Sequence, residues 1–195
     1  MHNLNVLVFY FLNGAAEVYG PLDAVMLFVT TYATLVVGLA VTLWMVVWLP
    51  LKARSVEAEL RAIRHALEYL FVVGGVYVLV SAVKVVTHIP RPFLALGDVR
   101  SLSPLEAGYS FPSMHAALMV GIATLVYLHH KRTGKLLAIF AVAVSISRVF
   151  IGVHYPKDVF VGGMLGFAIS ALLHIAFCNM HSDIVNDVAG AGKTR

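Results

Sequence analysis

Long apolar stretches alternate with short polar ones along the chain. Residues 24–49 carry no charge, and about 20 residues at ~1.5 Å rise suffice to cross ~30 Å of hydrocarbon. This stretch predicts a first membrane span, ended by Pro50. Residues 69–89, with the single charge Lys84, predict a second span. Residues 113–128, 136–153 and 159–177 predict three more. Between the first two spans, LKARSVEAELRAIRHALE has mixed charges at helical spacing and predicts a short surface helix. PRPFLALGDVRSLSPLEAGYSFP predicts a loop and HHKRTGK a tight basic turn. Residues 3–12, NLNVLVFYFL, are apolar but too few to cross, so an interfacial or re-entrant helix packed on the bundle is expected. No Lys or Arg precedes Lys52, so the basic region of a signal peptide is missing. The expected fold is all-α: a polytopic membrane helical bundle of about five transmembrane helices plus the short N-terminal helix. Residues 1–178 form one membrane-embedded domain, and 179–195 a flexible polar tail.

Composition agrees with this pattern. Of 195 residues 60% are hydrophobic and 12% charged, and the mean hydropathy is +0.87. The single cysteine, Cys178, excludes an internal disulfide. The net charge of +4 does not imply a nucleic-acid partner, because the basic residues follow the expected topology. Lys52, Arg54, Arg61, Arg64, Lys131, Arg132, Lys135, Lys193 and Arg195 fall on one side, nine of the 14, which makes that side cytoplasmic. The protein is therefore expected as a multi-pass protein of the inner or plasma membrane. Within the fifth span, GGMLG has a small-xxx-small spacing suited to close helix packing. The terminal GAGKT is not a phosphate-binding loop, because the required first glycine is Asp187 and no helix follows.

Lys84, Arg91, Arg100, Arg148 and Lys157 break the positive-inside bias. A Lys or Arg at the centre of a span costs roughly 2.5–3.5 kcal/mol, somewhat less near the interface. Lys84, Arg91 and Arg148, with His115, His154 and Asp158, come from four segments at one level. Snorkelling explains Lys84 alone. Three cations with one acid leave a surplus of about two positive charges, which suits phosphate: Arg offers a bidentate fork and Lys a point charge. FPSMH starts a helix with Ser113 as N-cap, whose free N–H groups favour an anion. Nothing in this set suits a metal, and no cofactor is expected. Two histidines at a phosphate allow one to attack phosphorus and the other to protonate the leaving oxygen. Asp158 follows His154 by four residues, with Pro156 at the first helical position, and is placed to hold His154. His115 has no acid nearby in sequence and is cast as the general acid.

Lys84-(six residues)-Arg91-Pro92, then Pro112-Ser113-Met114-His115, then Ser147-Arg148-(five residues)-His154-(three residues)-Asp158 resembles the tripartite signature of the type 2 phosphatidic acid phosphatase superfamily, in its bacterial membrane lipid-phosphatase branch. The resemblance implies metal-independent dephosphorylation through a phosphohistidine. His154 is then the nucleophile, Asp158 its partner and His115 the acid. Lys84, Arg91, Ser113, Arg148 and the backbone of Met114 hold the phosphoryl oxygens. Met114 stands where the family usually has Gly; helical φ does not demand Gly there, so a modest effect is expected.

The expected partner is a lipid phosphate or diphosphate in the bilayer, acted on at the extracytoplasmic side. Members of this size resemble undecaprenyl diphosphate phosphatases. Phosphatidylglycerophosphate, phosphatidic acid and lipid A phosphatases share the same residues, and a lipid phosphotransferase or a non-catalytic lipid-binding or transport protein are the alternatives. Glu17, Asp23, Asp98, Arg100 and Glu106 are expected as solvated loop charges rather than headgroup contacts, and Lys157 as a surface or headgroup contact.

Overall fold

In a computed structural model the structure describes residues 4–103 and 106–191. Every regular element among them is a helix: α1 Leu4–Asn13, α2 Gly20–Leu51, α3 Val56–Thr87, the single turn α4 Pro92–Ala95, α5 Met114–His129, α6 Lys131–Phe150 and α7 Pro156–Ala191. The expected all-α membrane bundle is what the chain forms. Four stretches are long and apolar enough to cross a membrane: 20–51, 56–95, 131–150 and 156–180. Two apolar helices are shorter: α1, with 10 residues, and α5, with 16. α5, expected as a span from its hydropathy, is the more deeply placed of the two. It occupies the centre of the bundle, against α7, α6 and α3.

The apolar surface points outward. Leu35, Leu39, Val78, Val86, Ile139 and Phe160 are all more than half exposed. In water such a surface would be untenable; in hydrocarbon it costs nothing, and helices suit that setting because they satisfy their own backbone groups. Helix association must then come from close packing, and small residues supply it. A Cβ at Gly166 would lie 2.0 Å from the Ala117 carbonyl oxygen, and one at Gly162 2.5 Å from that of Ser113. The GGMLG spacing therefore presses α7 onto the first turns of α5.

Several boundaries differ from the sequence expectation. The surface helix and the second span are one 32-residue helix, α3. Ser55 starts it, its hydroxyl accepting from Ala58 N at 3.2 Å, with Glu57 and Glu59 in the first turn. Nothing in 56–68 breaks the helix, so the charged part and the apolar part join. The basic turn shrinks to His130, and α6 begins at Lys131. Pro50 does not end α2, which runs to Leu51. Within α2, 29–33 and 44–48 widen into π turns. Thr34 Oγ1 donates to the Val29 carbonyl at 2.9 Å, satisfying a group the widened turn would loosen. α7 begins at Pro156, with Asp158 in its first turn as expected, and continues past 179 to Ala191. α1 packs on α6 and α7 with Phe9 and Asn13 buried, in keeping with a short helix docked on the bundle.

Candidate active site

The predicted residues converge where α3 ends, α5 begins, α6 ends and α7 begins, beneath the loop that follows α3. Backbone geometry sets each position. Lys84 lies in the last turn of α3, and the left-handed His88, φ 49°, stops that helix. Arg91 is extended, ψ 154°, as expected before a proline. Ser113 N donates to the Asp158 carbonyl at 2.9 Å, which ties the start of α5 to the first turn of α7. Between α6 and α7, Gly152 has φ +84°, and a Cβ there would approach the Arg100 carbonyl at 2.9 Å. Only glycine turns the chain so tightly at that point and leaves His154 facing inward.

The three cations come to one end of the bundle, and their charge is better balanced than the sequence suggests. Arg148 is 2% exposed; its Nη1 donates to Thr30 Oγ1 at 3.1 Å and its Nη2 to a Glu106 carboxylate oxygen. Arg91 pairs with the same Glu106 oxygen at 2.9 Å and donates to the Gly108, Ala107 and Val153 carbonyls at 3.1–3.2 Å. Lys84 Nζ donates to the Tyr109 carbonyl at 2.6 Å and the Ser110 carbonyl at 3.3 Å. Glu106 is thus not a solvated loop charge: its side chain is 24% exposed and sits between two guanidiniums. Burial pushes its carboxyl up, but Arg148 and Arg91 outweigh burial and hold it below the usual value. With Glu106 counted beside Asp158, the surplus over the three cations falls from about two charges to one.

His154 and Asp158 are 2% and 0% exposed. His154 Nδ1 lies 3.6 Å from Asp158 Oδ2, beyond a good hydrogen bond, and 3.4 Å from Ser110 Oγ. Asp158 Oδ2 instead accepts from the Ser110 hydroxyl and, at 2.9 Å, from Tyr155 N. The latter is a carboxylate at the third helical position capping the N–H just before the helix. So Asp158 does fold back toward His154, with Ser110 held against both. On the other side of the ring, Nε2 faces Arg91 Nη1 at 3.5 Å. Burial, then Arg148, Arg91 and Lys84, push the His154 imidazole well below its ordinary value, which favours the neutral ring. His115, in the first turn of α5, is half-buried and feels the charges of Arg148, Glu106, Arg91 and Lys84.

Three buried side-chain atoms in this cluster have no hydrogen-bond partner among the described residues: Ser113 Oγ, Arg148 Nε and Asp158 Oδ1. Buried polar groups are rarely left so, and a hydroxyl and a guanidinium N–H are donors suited to an anion. The expected Ser113 side-chain cap is not made; Ser113 does occupy the N-cap position. Met114 does not crowd the cage. Its side chain lines an apolar cavity of about 420 Å³ running from His115 between α2, α3 and α5, beside Leu35, Leu39, Val73 and Leu118.

Of the other charges expected in loops, Asp23 lies instead in the first turn of α2 and accepts from Glu17 N at 3.2 Å, and Arg100 Nη1 donates to the Gly14 and Ala16 carbonyls at 2.7 Å. Both fix α1 and its loop rather than face the cage. Lys157 is exposed, as expected. Sequence reasoning missed Ser110 and Thr30 and misjudged Glu106. Thr30, a hydroxyl inside an uncharged span, was the one with a visible signal.

The chain is similar to several known proteins. The chain is 34% identical over 169 residues to the bacitracin transport permease protein BcrC of Bacillus licheniformis, covering 87% of this chain and 78% of that protein. It is 29% identical over 178 residues to the undecaprenyl-diphosphatase BcrC of Bacillus subtilis, covering 91% and 86%. Among solved structures, Aquifex aeolicus LpxE superposes with a TM-score of 0.69 at 26% identity, over 88% of this chain and 94% of that one. The PAP2 superfamily profile matches residues 65–180, a range that includes all three motifs, and the chain belongs to that superfamily.

Proposed function

We propose that this PAP2-type membrane phosphatase hydrolyses a lipid diphosphate, best undecaprenyl diphosphate, through a phosphohistidine on His154. The observation that carries the reading is the two-sided setting of His154: Nδ1 faces Ser110 and Asp158, while Nε2 faces the guanidinium of Arg91. With Nδ1 turned to the acid, Nε2 is the atom free to attack. Lys84, Arg91, Ser113 and Arg148 hold the phosphoryl oxygens, joined by the backbone at Met114, where α5 begins. Nε2 forms a bond to phosphorus as the bond to the leaving oxygen breaks, and His115 gives that oxygen its proton. Water, losing a proton to His115, then attacks phosphorus, and inorganic phosphate leaves with His154 restored. Asp158 stabilises the charge that the His154 ring gains in between.

The apolar cavity beside His115 offers room for lipid tails within the bilayer while the headgroup lies in the cage. The preference for undecaprenyl diphosphate rests on the Bacillus subtilis relative. Charge supports an extracytoplasmic cage: Lys52, Arg54, Arg61, Arg64, Lys131 and Arg132 cluster at the end of the bundle opposite it, and basic residues favour the cytoplasmic side.

The test is phosphate release in EDTA from undecaprenyl diphosphate, phosphatidylglycerophosphate, phosphatidic acid and lipid A. Undecaprenyl diphosphate is expected to turn over fastest, and His154→Ala to lose at least roughly 10³-fold. Near-normal turnover by His154→Ala would sink the nucleophile. A preference for a monophosphate lipid would move the substrate assignment and leave the chemistry standing.

A further inference from the structure

A second cluster of chemistry-bearing side chains lies far from the cage. His115 opens α5 and His129 closes it, so the two ends are separated by ~21 Å at ~1.5 Å per residue. At the far end Glu68 of α3 is 1% exposed. Its Oε2 lies 3.0 Å from His129 Nε2 of α5, and its Oε1 2.7 Å from His174 Nδ1 of α7. The three ligand-type atoms all lie within 4.8 Å of one another. His65 stacks on His129 with ring centroids 3.8 Å apart. The outer nitrogen of His174, Nε2, faces Cys178 Sγ at 3.7 Å. Nothing in the phosphatase chemistry uses these residues.

We propose that Glu68, His129 and His174 bind one divalent transition-metal ion, with Zn²⁺ the best match to the donor set. A carboxylate buried in an apolar bundle demands a compensating charge, and an ion supplies it. Two imidazoles and one carboxylate suit Zn²⁺ and its neighbours in the first row. Mg²⁺ and Ca²⁺ want an oxygen shell. Bonds of ~2.0–2.1 Å at a tetrahedral angle place nitrogen and oxygen ligands ~3.3 Å apart, so the two Glu68–His pairs, at 3.0 and 2.7 Å, open by about 0.3 and 0.6 Å, while the two histidine nitrogens, within 4.8 Å of each other, settle to the same spacing. The surroundings are those of an outer shell: the stack on His65 fixes one ring, and the Cys178 sulfur accepts from the Nε2–H of the other, which leaves its Nδ1 lone pair for the ion. Water completes the coordination. Because the ligands come from α3, α5 and α7, the ion joins three helices of the bundle.

The experiment uses the full chain in detergent, purified without a polyhistidine tag, stripped with a chelator and dialysed against Zn²⁺. Metal content by mass spectrometry is expected near one Zn²⁺ per chain, with Co²⁺ giving the visible bands of a low-symmetry nitrogen–oxygen site. Glu68→Gln and His174→Gln are each expected to lower Zn²⁺ affinity at least tenfold, and Cys178→Ser to keep full occupancy. Zn²⁺ should raise the thermal midpoint of the unaltered chain and leave that of Glu68→Gln unmoved, a comparison that stands even if His174→Gln folds poorly. Less than a tenth of a Zn²⁺ per unaltered chain, or equal binding by the Glu68→Gln chain, overturns the site. Loss of the metal in Cys178→Ser overturns the ligand set.

Discussion

Gly166→Ala tests whether helix packing, and not merely the presence of the motif residues, sets the active site. The added Cβ would stand 2.0 Å from the Ala117 carbonyl oxygen, 2.9 Å from its carbon and 3.0 Å from Gly121 N. Ordinary contact begins near 3.4 Å, so α5 and α7 must part locally by about 1.4 Å. Overpacking of this kind costs about 1–3 kcal/mol, against a gain of about 1 kcal/mol from exchanging Gly for Ala in a helix. An overlap of 1.4 Å belongs at the upper end of that range, so the net expectation is a loss of about 2 kcal/mol, read as a lower thermal midpoint. Function should fall further than stability. Ala117 lies one turn beyond Ser113, so the strain displaces the start of α5, with His115, relative to His154 and Asp158 on the α7 side. A misplacement of ~1 Å is worth ~10²-fold in rate. The assay is kcat for phosphate release at saturating lipid, beside a thermal melt. Gly74→Ala is the control: it is helical, with nothing within 4 Å of the new methyl group, and should be neutral or stabilising by up to about 1 kcal/mol. Gly166→Ala with kcat within twofold of the unaltered protein refutes the link from packing to site, and an unchanged or raised midpoint refutes the packing argument itself.

Asp158→Asn keeps the shape at His154 but removes its charge, and kcat is expected to fall ~10²–10⁴-fold. Ser110→Ala, which leaves Asp158 its bond from Tyr155 N, should cost about tenfold; a larger loss than Asp158→Asn would reverse their ranking. Glu106→Gln withdraws the carboxylate that a phosphate must displace from Arg91 and Arg148, so the inhibition constant of inorganic phosphate should drop several-fold; a rise would show that Glu106 helps to bind substrate. The pH profile follows from His154, which must be unprotonated to attack and is held below the ordinary histidine value of 6.5 by burial and then by Arg148, Arg91 and Lys84. The acidic fall in kcat/KM is therefore expected below pH 6.5, moving upward in Lys84→Gln; a limb above pH 6.5 in the unaltered protein contradicts that placement.

Local order was legible in the chain because it is written locally. Hydropathy marked each apolar segment, Pro156 marked the start of α7, and Gly162 with Gly166 marked a close helix contact. Boundaries failed where two elements of different polarity share one helix. The charged stretch after Ser55 and the apolar stretch after it have the same period, and no breaker stands between them, so α3 is continuous.

The three motifs, their order and their cost in a membrane follow from sequence alone, since a charge in hydrocarbon demands a reason whatever the fold. Which groups balance that charge was decided by tertiary structure. Glu106 meets Arg148 across 42 positions and Thr30 meets it across 118, from a loop and a span with no common period. Ser110 reaches Asp158 across 48, and Glu68 draws His174 from 106 positions away. Such partners are set by how helices stack, and no local pattern of polar and apolar residues records that.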